Sequence, residues 1–122
     1  MTPEQAPVFV VDDQSSFRRA MASLVELSPG LRWAGEAGNG PDALAALSAI
    51  EDAVVLVDVN MPWMGGPAVV AALGGRRGLV PVLVSTYEAD ELPSEVRATG
   101  VPYVSKDRLN PQLLQQLYAD GR

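Results

Sequence analysis

Val54-Val55-Leu56-Val57-Asp58-Val59-Asn60-Met61-Pro62-Trp63-Met64-Gly65-Gly66 decides the fold. Its first four residues form a short, unbroken apolar run rich in β-branched side chains, which predicts a strand buried on both faces. Such strands belong to parallel sheets covered by helices. The run stops at a carboxylate, Asp58, and passes into a loop, Asp58–Pro67, rich in Gly, Pro and Met. In open α/β sheets, ligands bind just outside the carboxyl ends of the strands, so a charged residue at that point is a candidate site residue.

Working outward, other apolar runs end in the same manner. Val8–Val11 ends in Asp12-Asp13, Val80–Val84 ends in the hydroxyls Ser85 and Thr86, and Val101–Ser105 ends in Lys106, the only lysine of the chain. Leu31–Ala37 reads as a more exposed strand. Helical patterns lie between them. One runs from a cap at Ser15 or Ser16 to about Leu27, with Phe17, Met21, Leu24 and Val25 at helical spacing. A second is predicted over Asp42–Ile50 after Pro41, with Ala43, Leu44, Leu47 and Ile50 facing inward. Ala68–Leu73 is short, and Leu92–Thr99 stops at Gly100. Asn110-Pro111 caps a last helix whose inward residues are Leu113, Leu114 and Leu117. Strand and helix alternate throughout. This predicts an α/β, doubly wound (βα)5 parallel sheet. Right-handed crossovers leave few topologies, and among them the flavodoxin-like order 2-1-3-4-5, which periodicity alone does not fix, opens a crevice beside strands 1 and 3.

Composition limits the chemistry. The 122 residues suit one domain with a real core; 48% are hydrophobic and 20% charged. Cysteine and histidine are both absent, which removes thiolate chemistry and the commonest general base. The net charge of −6 argues against direct nucleic-acid binding. The pairs Arg18-Arg19 and Arg76-Arg77 read as solvated helix faces. No stretch approaches the about 18 apolar residues of a membrane span, and Met1-Thr2-Pro3-Glu4-Gln5 lacks the basic start of a leader. The expected location is the cytoplasm, away from membranes.

Each strand-end group has a plain reading and a chemical one. Asp12-Asp13 is a solvated, helix-capping turn, or a repelling pair neutralised by a hard cation such as Mg²⁺. Asp58 bonds local amides, or acts as a nucleophile in an aspartyl-phosphate route. Lys106 snorkels to solvent, or pairs with a phosphoryl oxygen. Ser85 and Thr86 cap a turn, or offer a hydroxyl to the same group. Asn60 has a carbonyl to offer a cation. Trp63 is expected to be an exposed contact residue and Met64 a core anchor. Taken together on neighbouring parallel strands, these groups form a site for a divalent cation and a phosphoryl group.

The same residues resemble the receiver domains of bacterial two-component response regulators, over nearly the whole chain. The pattern is the acidic pair Asp12-Asp13, the loop Asp58-Val59-Asn60-Met61-Pro62-Trp63-Met64-Gly65-Gly66, Ser85, and Tyr103-Val104-Ser105-Lys106. Ser28-Pro29-Gly30-Leu31, Gly35-Glu36-Ala37 and Ser85-Thr86-Tyr87 look most like receivers of helix-turn-helix transcription factors, here without their output domain. The resemblance implies one receiver domain over residues 1–122, with no enzyme activity beyond its own phosphorylation and dephosphorylation. It implies that Asp58 accepts a phosphoryl group from a sensor histidine kinase. Asp12, Asp13, Asp58 and the Asn60 carbonyl would serve Mg²⁺, Ser85 (or Thr86) and Lys106 the phosphoryl oxygens, and Tyr103 the switch that alters the helix 4, strand 5 and helix 5 face. An output protein, fused or separate, is the implied partner; a homodimer through the leucine stripe competes with burial of that stripe. Asp107 replaces the proline that follows the lysine in many receivers, and Gly100-Val101-Pro102-Tyr103 is one residue short. A degenerate, phosphorylation-independent interaction module and an aspartyl-phosphate phosphatase are the competing readings.

Overall fold

The computed structural model describes residues 5–121. Residues 1–4, read above as free of a leader, and residue 122 lie outside the described residues. Strands β1 (Ala6–Val11), β2 (Leu31–Ala37), β3 (Ala53–Asp58), β4 (Leu79–Ser85) and β5 (Tyr103–Ser105) form one parallel sheet in the order 2-1-3-4-5. β1 and β3 are buried along their full length. Because side chains alternate along a strand, the two runs feed both faces. Phe9, Val11, Val55 and Val57 pack against α2 (Gly40–Leu47), α3 (Gly66–Leu73) and α4 (Ser94–Ala98). Val8, Val10, Val54 and Leu56 pack against α1 (Ser15–Glu26) and α5 (Pro111–Gly121).

Register positions the strand tips. Val11 pairs with Val57, so Asp12 and Asp58 follow at the same level. Asp58 pairs with Val84, and Ser85 with Ser105, which places Lys106 one step beyond. A bulge separates Val8 and Phe9 in the β1–β2 pairing. There Gly35 takes φ +145° under the Phe9 ring, where a Cβ would sit 3.0 Å from Phe9 Cε2.

The helix ends differ from expectation for local reasons. Gln14, not Ser15 or Ser16, is the N-cap of α1, and no side chain caps it. The Gln14 amide instead donates to Asp12 Oδ1 at 2.9 Å. α2 begins early because Asn39 Oδ1 accepts from the Asp42 amide at 2.8 Å. It ends early as Arg76 donates to the carbonyls of Leu47 and Ile50, both at 2.7 Å. Arg76 is therefore not a merely solvated arginine. α4 is only five residues long: Leu92 and Pro93, the first two residues of the predicted helix, are extended and link it to a 3-10 turn at Ala89–Glu91. β5 begins at Tyr103 because Pro102 has no N–H to add; its carbonyl accepts from Leu83 N at 2.9 Å. Asn110 caps α5 through Leu113 N at 2.9 Å, as the sequence predicts. Leu114 is fully buried and Leu117 partly so. Leu113 instead lines a small cavity with Tyr103 and Arg108, and Tyr118 takes its place in the core. Leu114 is thus a core residue, as the burial reading of the stripe expects.

Candidate functional site

The residues that end β1 and β3 and the one that follows β5 meet in one acidic pocket. Carboxylate oxygens of Asp12, Asp13 and Asp58 lie within 4.8 Å of one another. Asp12 is 0% and Asp58 6% exposed, while Asp13 opens to solvent. Lys106 Nζ stands 2.7 Å from Asp12 Oδ2 and 3.3 Å from Asp58 Oδ1. It also lies 4.4 Å from the centroid of the Phe17 ring. β5 leads into a 3-10 turn, Lys106–Arg108, which Lys106 begins and where the hydroxyl of the preceding Ser105 donates to Asp107.

Burial pushes the Asp58 carboxyl up to about 6, the Asp12 charge adds to this, and Lys106 only partly opposes it. Burial works against the Lys106 ammonium, yet its hydrogen bond to Asp12 and the charges of Asp58 and Asp12 together hold its pKa above the usual lysine value. Burial also raises Tyr103, helped by the Glu88 and Asp107 charges.

Three carboxylates facing one ammonium leave an excess of negative charge. Asp12 Oδ2 is buried, and among the described residues nothing but the Lys106 ammonium engages it. Such an all-oxygen donor set fits a hard divalent cation, Mg²⁺ above all. Ser85 is buried at the tip of β4, whereas Thr86 is exposed and lines a 660 Å³ cavity with Phe17, Met21, Leu24, Lys106 and Leu109. Asn60 is exposed, and its side-chain amide donates to the Tyr87 hydroxyl at 3.2 Å. The Tyr103 hydroxyl donates to the Tyr87 carbonyl at 2.7 Å.

The profile of the response regulator receiver domain matches residues 8–118. The chain belongs to this family. The nitrate/nitrite response regulator protein NarP of Escherichia coli is 30% identical over 98% of this chain and 58% of its own length. The chain thus spans little more than half the length of NarP and of the nitrate/nitrite response regulator protein NarL of Escherichia coli. The signal receiver domain of the response regulator NarL from Mycobacterium tuberculosis superposes with a TM-score of 0.81 at 28% identity, covering 98% of this chain and 100% of that one. CheY6 from R. sphaeroides, crystallised with the P1 domain of CheA3, gives 0.72 at 25% identity over 84% and 83% of the two chains.

Two residues of this receiver's site escape the sequence reading. Phe17 reads only as a core residue of α1, yet its ring faces the lysine. Arg18 reads as a solvated neighbour of Arg19. Instead its Nη1 donates to the Asp12 carbonyl at 2.6 Å and its Nε to Glu36 at 2.8 Å, tying α1 and β2 to the acidic turn. No sequence signal separates Arg18 from Arg19, since only the distance to β2 distinguishes them. Trp63 is fully exposed and Met64 packs on the core, where Gly40 leaves room for its thioether. No helix among the described residues is long and apolar enough to cross a membrane.

Proposed function

We propose that Asp58 of this receiver is the phosphoacceptor, taking a phosphoryl group from the phosphohistidine of a sensor histidine kinase. One observation supports this above the rest: Lys106 reaches both Asp12 and Asp58 inside a mostly buried, all-oxygen pocket. Phosphoryl transfer needs positioning and charge neutralisation more than acid–base groups, so a chain without histidine can perform it. An Asp58 carboxylate oxygen forms the new O–P bond as the P–N bond of the donor breaks. The leaving imidazole keeps the bonding electrons and takes a proton.

Asp12, Asp13, Asp58 and the backbone carbonyl of Asn60 would hold Mg²⁺, which when bound neutralises the phosphoryl oxygens. Lys106 pairs with one of those oxygens. Ser85 bonds another; its burial at the β4 tip favours it over the exposed Thr86. Tyr103, held on Tyr87, is the switch residue through which the loop after β4, α4 and β5 respond. Residues 1–122 act as a single receiver domain in the cytoplasm, with no reaction on an external substrate. A phosphatase would need an acid where Asn60 stands, and an amide has no such proton. The partners are a histidine kinase, which Trp63 contacts from the edge of the site, and an output protein. The complex of CheY6 with a P1 domain supports the first.

The test is intact mass after incubation with acetyl phosphate and Mg²⁺. The protein gains one phosphoryl group, and Asp58→Asn gains none. An unchanged wild-type mass overturns the reading.

A further inference from the structure

We propose that Phe17 is a positioning residue for phosphoryl transfer, its ring holding the Lys106 ammonium beside Asp58. The proposal rests on the Asp58 reading above. Lys106 Nζ has three named neighbours: Asp12 at 2.7 Å, Asp58 at 3.3 Å and the Phe17 centroid at 4.4 Å. Two of these are anions whose pull on the ammonium changes during the reaction. A cation bound between the carboxylates screens both of them, and esterification converts Asp58 into an acyl phosphate. The ring's negative face attracts the ammonium whatever the carboxylates are doing. A lysine stem is long and loses considerable rotamer entropy on being fixed. A partner that does not vary keeps it fixed while the ionic partners exchange.

Position supports the same role. Phe17 lies in the first turns of α1, four residues past Asp13. It is partly buried against the core cluster of α1 and α5, so the ring is itself anchored. Lys106 and Phe17 also share the wall of the 660 Å³ cavity, where Ala20, Met21, Leu24 and Leu109 make the lining largely apolar, although Glu88 and Asp107 also line it.

The chain has a single lysine, so its side-chain NMR signals need no assignment against others. Methylene protons held over an aromatic face shift upfield. The Lys106 ε-methylene signal is expected upfield in the wild type and in Phe17→Tyr, and at the ordinary lysine position in Phe17→Leu. The acetyl phosphate rate constant, with Mg²⁺, falls about fivefold in Phe17→Leu and returns to within about twofold of wild type in Phe17→Tyr. Leucine keeps the burial and loses the ring; tyrosine keeps both. A wild-type ε signal at the ordinary position overturns the proposal, as does a Phe17→Leu rate equal to wild type or a Phe17→Tyr rate as low as that of Phe17→Leu. If wild-type protein is phosphorylated and Phe17→Leu reacts equally fast, only this proposal fails. If wild-type protein takes no phosphoryl group, the Asp58 reading fails and this one with it.

Discussion

Lys106 sits closer to Asp12 than to Asp58, at 2.7 Å against 3.3 Å. The closer carboxylate is also the fully buried one. In this state the lysine's main partner is therefore the aspartate read as a metal ligand, while the proposed phosphoacceptor is held more loosely. A cation at the acidic pair would take over Asp12 and free the ammonium for the phosphoryl group.

Removing the ammonium exposes that dependence. Lys106→Met leaves Asp12 buried without a counter-charge, a defect that costs about 3 kcal/mol in comparable pairs. In chelator, the urea midpoint of Lys106→Met is expected to fall well below wild type. In Mg²⁺ the gap narrows, because the cation replaces the missing charge, and Mg²⁺ binds the variant more tightly than wild type. Equal midpoints in chelator would show that Asp12 does not rely on Lys106.

Asp58 carries a pH dependence of defined sign. Its carboxyl is held at about 6 in the fold, above the 3.8 of an unperturbed group. Between those values the folded state binds more protons than the unfolded chain, so stability falls as pH rises through the window and the full penalty stands above it. Asp58→Asn removes the group. In chelator it is expected to stabilise the protein by about 2 kcal/mol more at about pH 7.5 than at about pH 4, read from urea titrations. A pH-independent difference would rule out the raised value.

Tyr103 is fixed to the loop after β4 by one hydrogen bond, from its hydroxyl to the Tyr87 carbonyl at 2.7 Å. Tyr103→Phe keeps the ring and loses that bond, at a cost of about 1 kcal/mol. Amide exchange should speed up locally, over residues 86–91, and stay unchanged in β1 and β3. Uniform acceleration across the sheet would mean that the bond supports the whole fold rather than the loop.

The sheet was legible because its information is local. Val8–Val11 and Val54–Val57 have no polar residue to expose, so they had to lie between two layers of helices, and the acidic residues that end them had to sit at the rim. Register then did the rest, bringing Asp12, Asp58 and Lys106 together. What stayed hidden depends on distance in space. Tyr118 enters the core in place of Leu113, and its hydroxyl bonds Asp52, 66 residues away. Arg18 and Arg76 look like any surface arginine until the carbonyls they cap are in view. The short α4 follows from the extended Leu92 and Pro93, which come after a 3-10 turn capped by Glu88 and Glu91, a local backbone choice that hydrophobic spacing does not register.

Trp63 combines two unfavourable features at the edge of the site. It is 100% exposed, and it is the one non-glycine residue with positive φ, +66°, among the described residues. The Met64 amide bonds the Pro62 carbonyl across it at 2.8 Å, a tight turn of the rare, strained hand. A sparsely populated positive-φ conformation costs a residue with a Cβ about 1–3 kcal/mol, and glycine escapes that cost while gaining freedom in the unfolded chain. With no buried contact to lose, Trp63→Gly is expected to stabilise the receiver by about 0.5 kcal/mol, read as a higher urea midpoint with unchanged slope. The strain is then a feature kept for the indole's outward position, and kinase-dependent phosphorylation of Trp63→Gly should slow while the acetyl phosphate rate holds. A destabilised variant would mean that the indole contributes packing which its full exposure does not suggest.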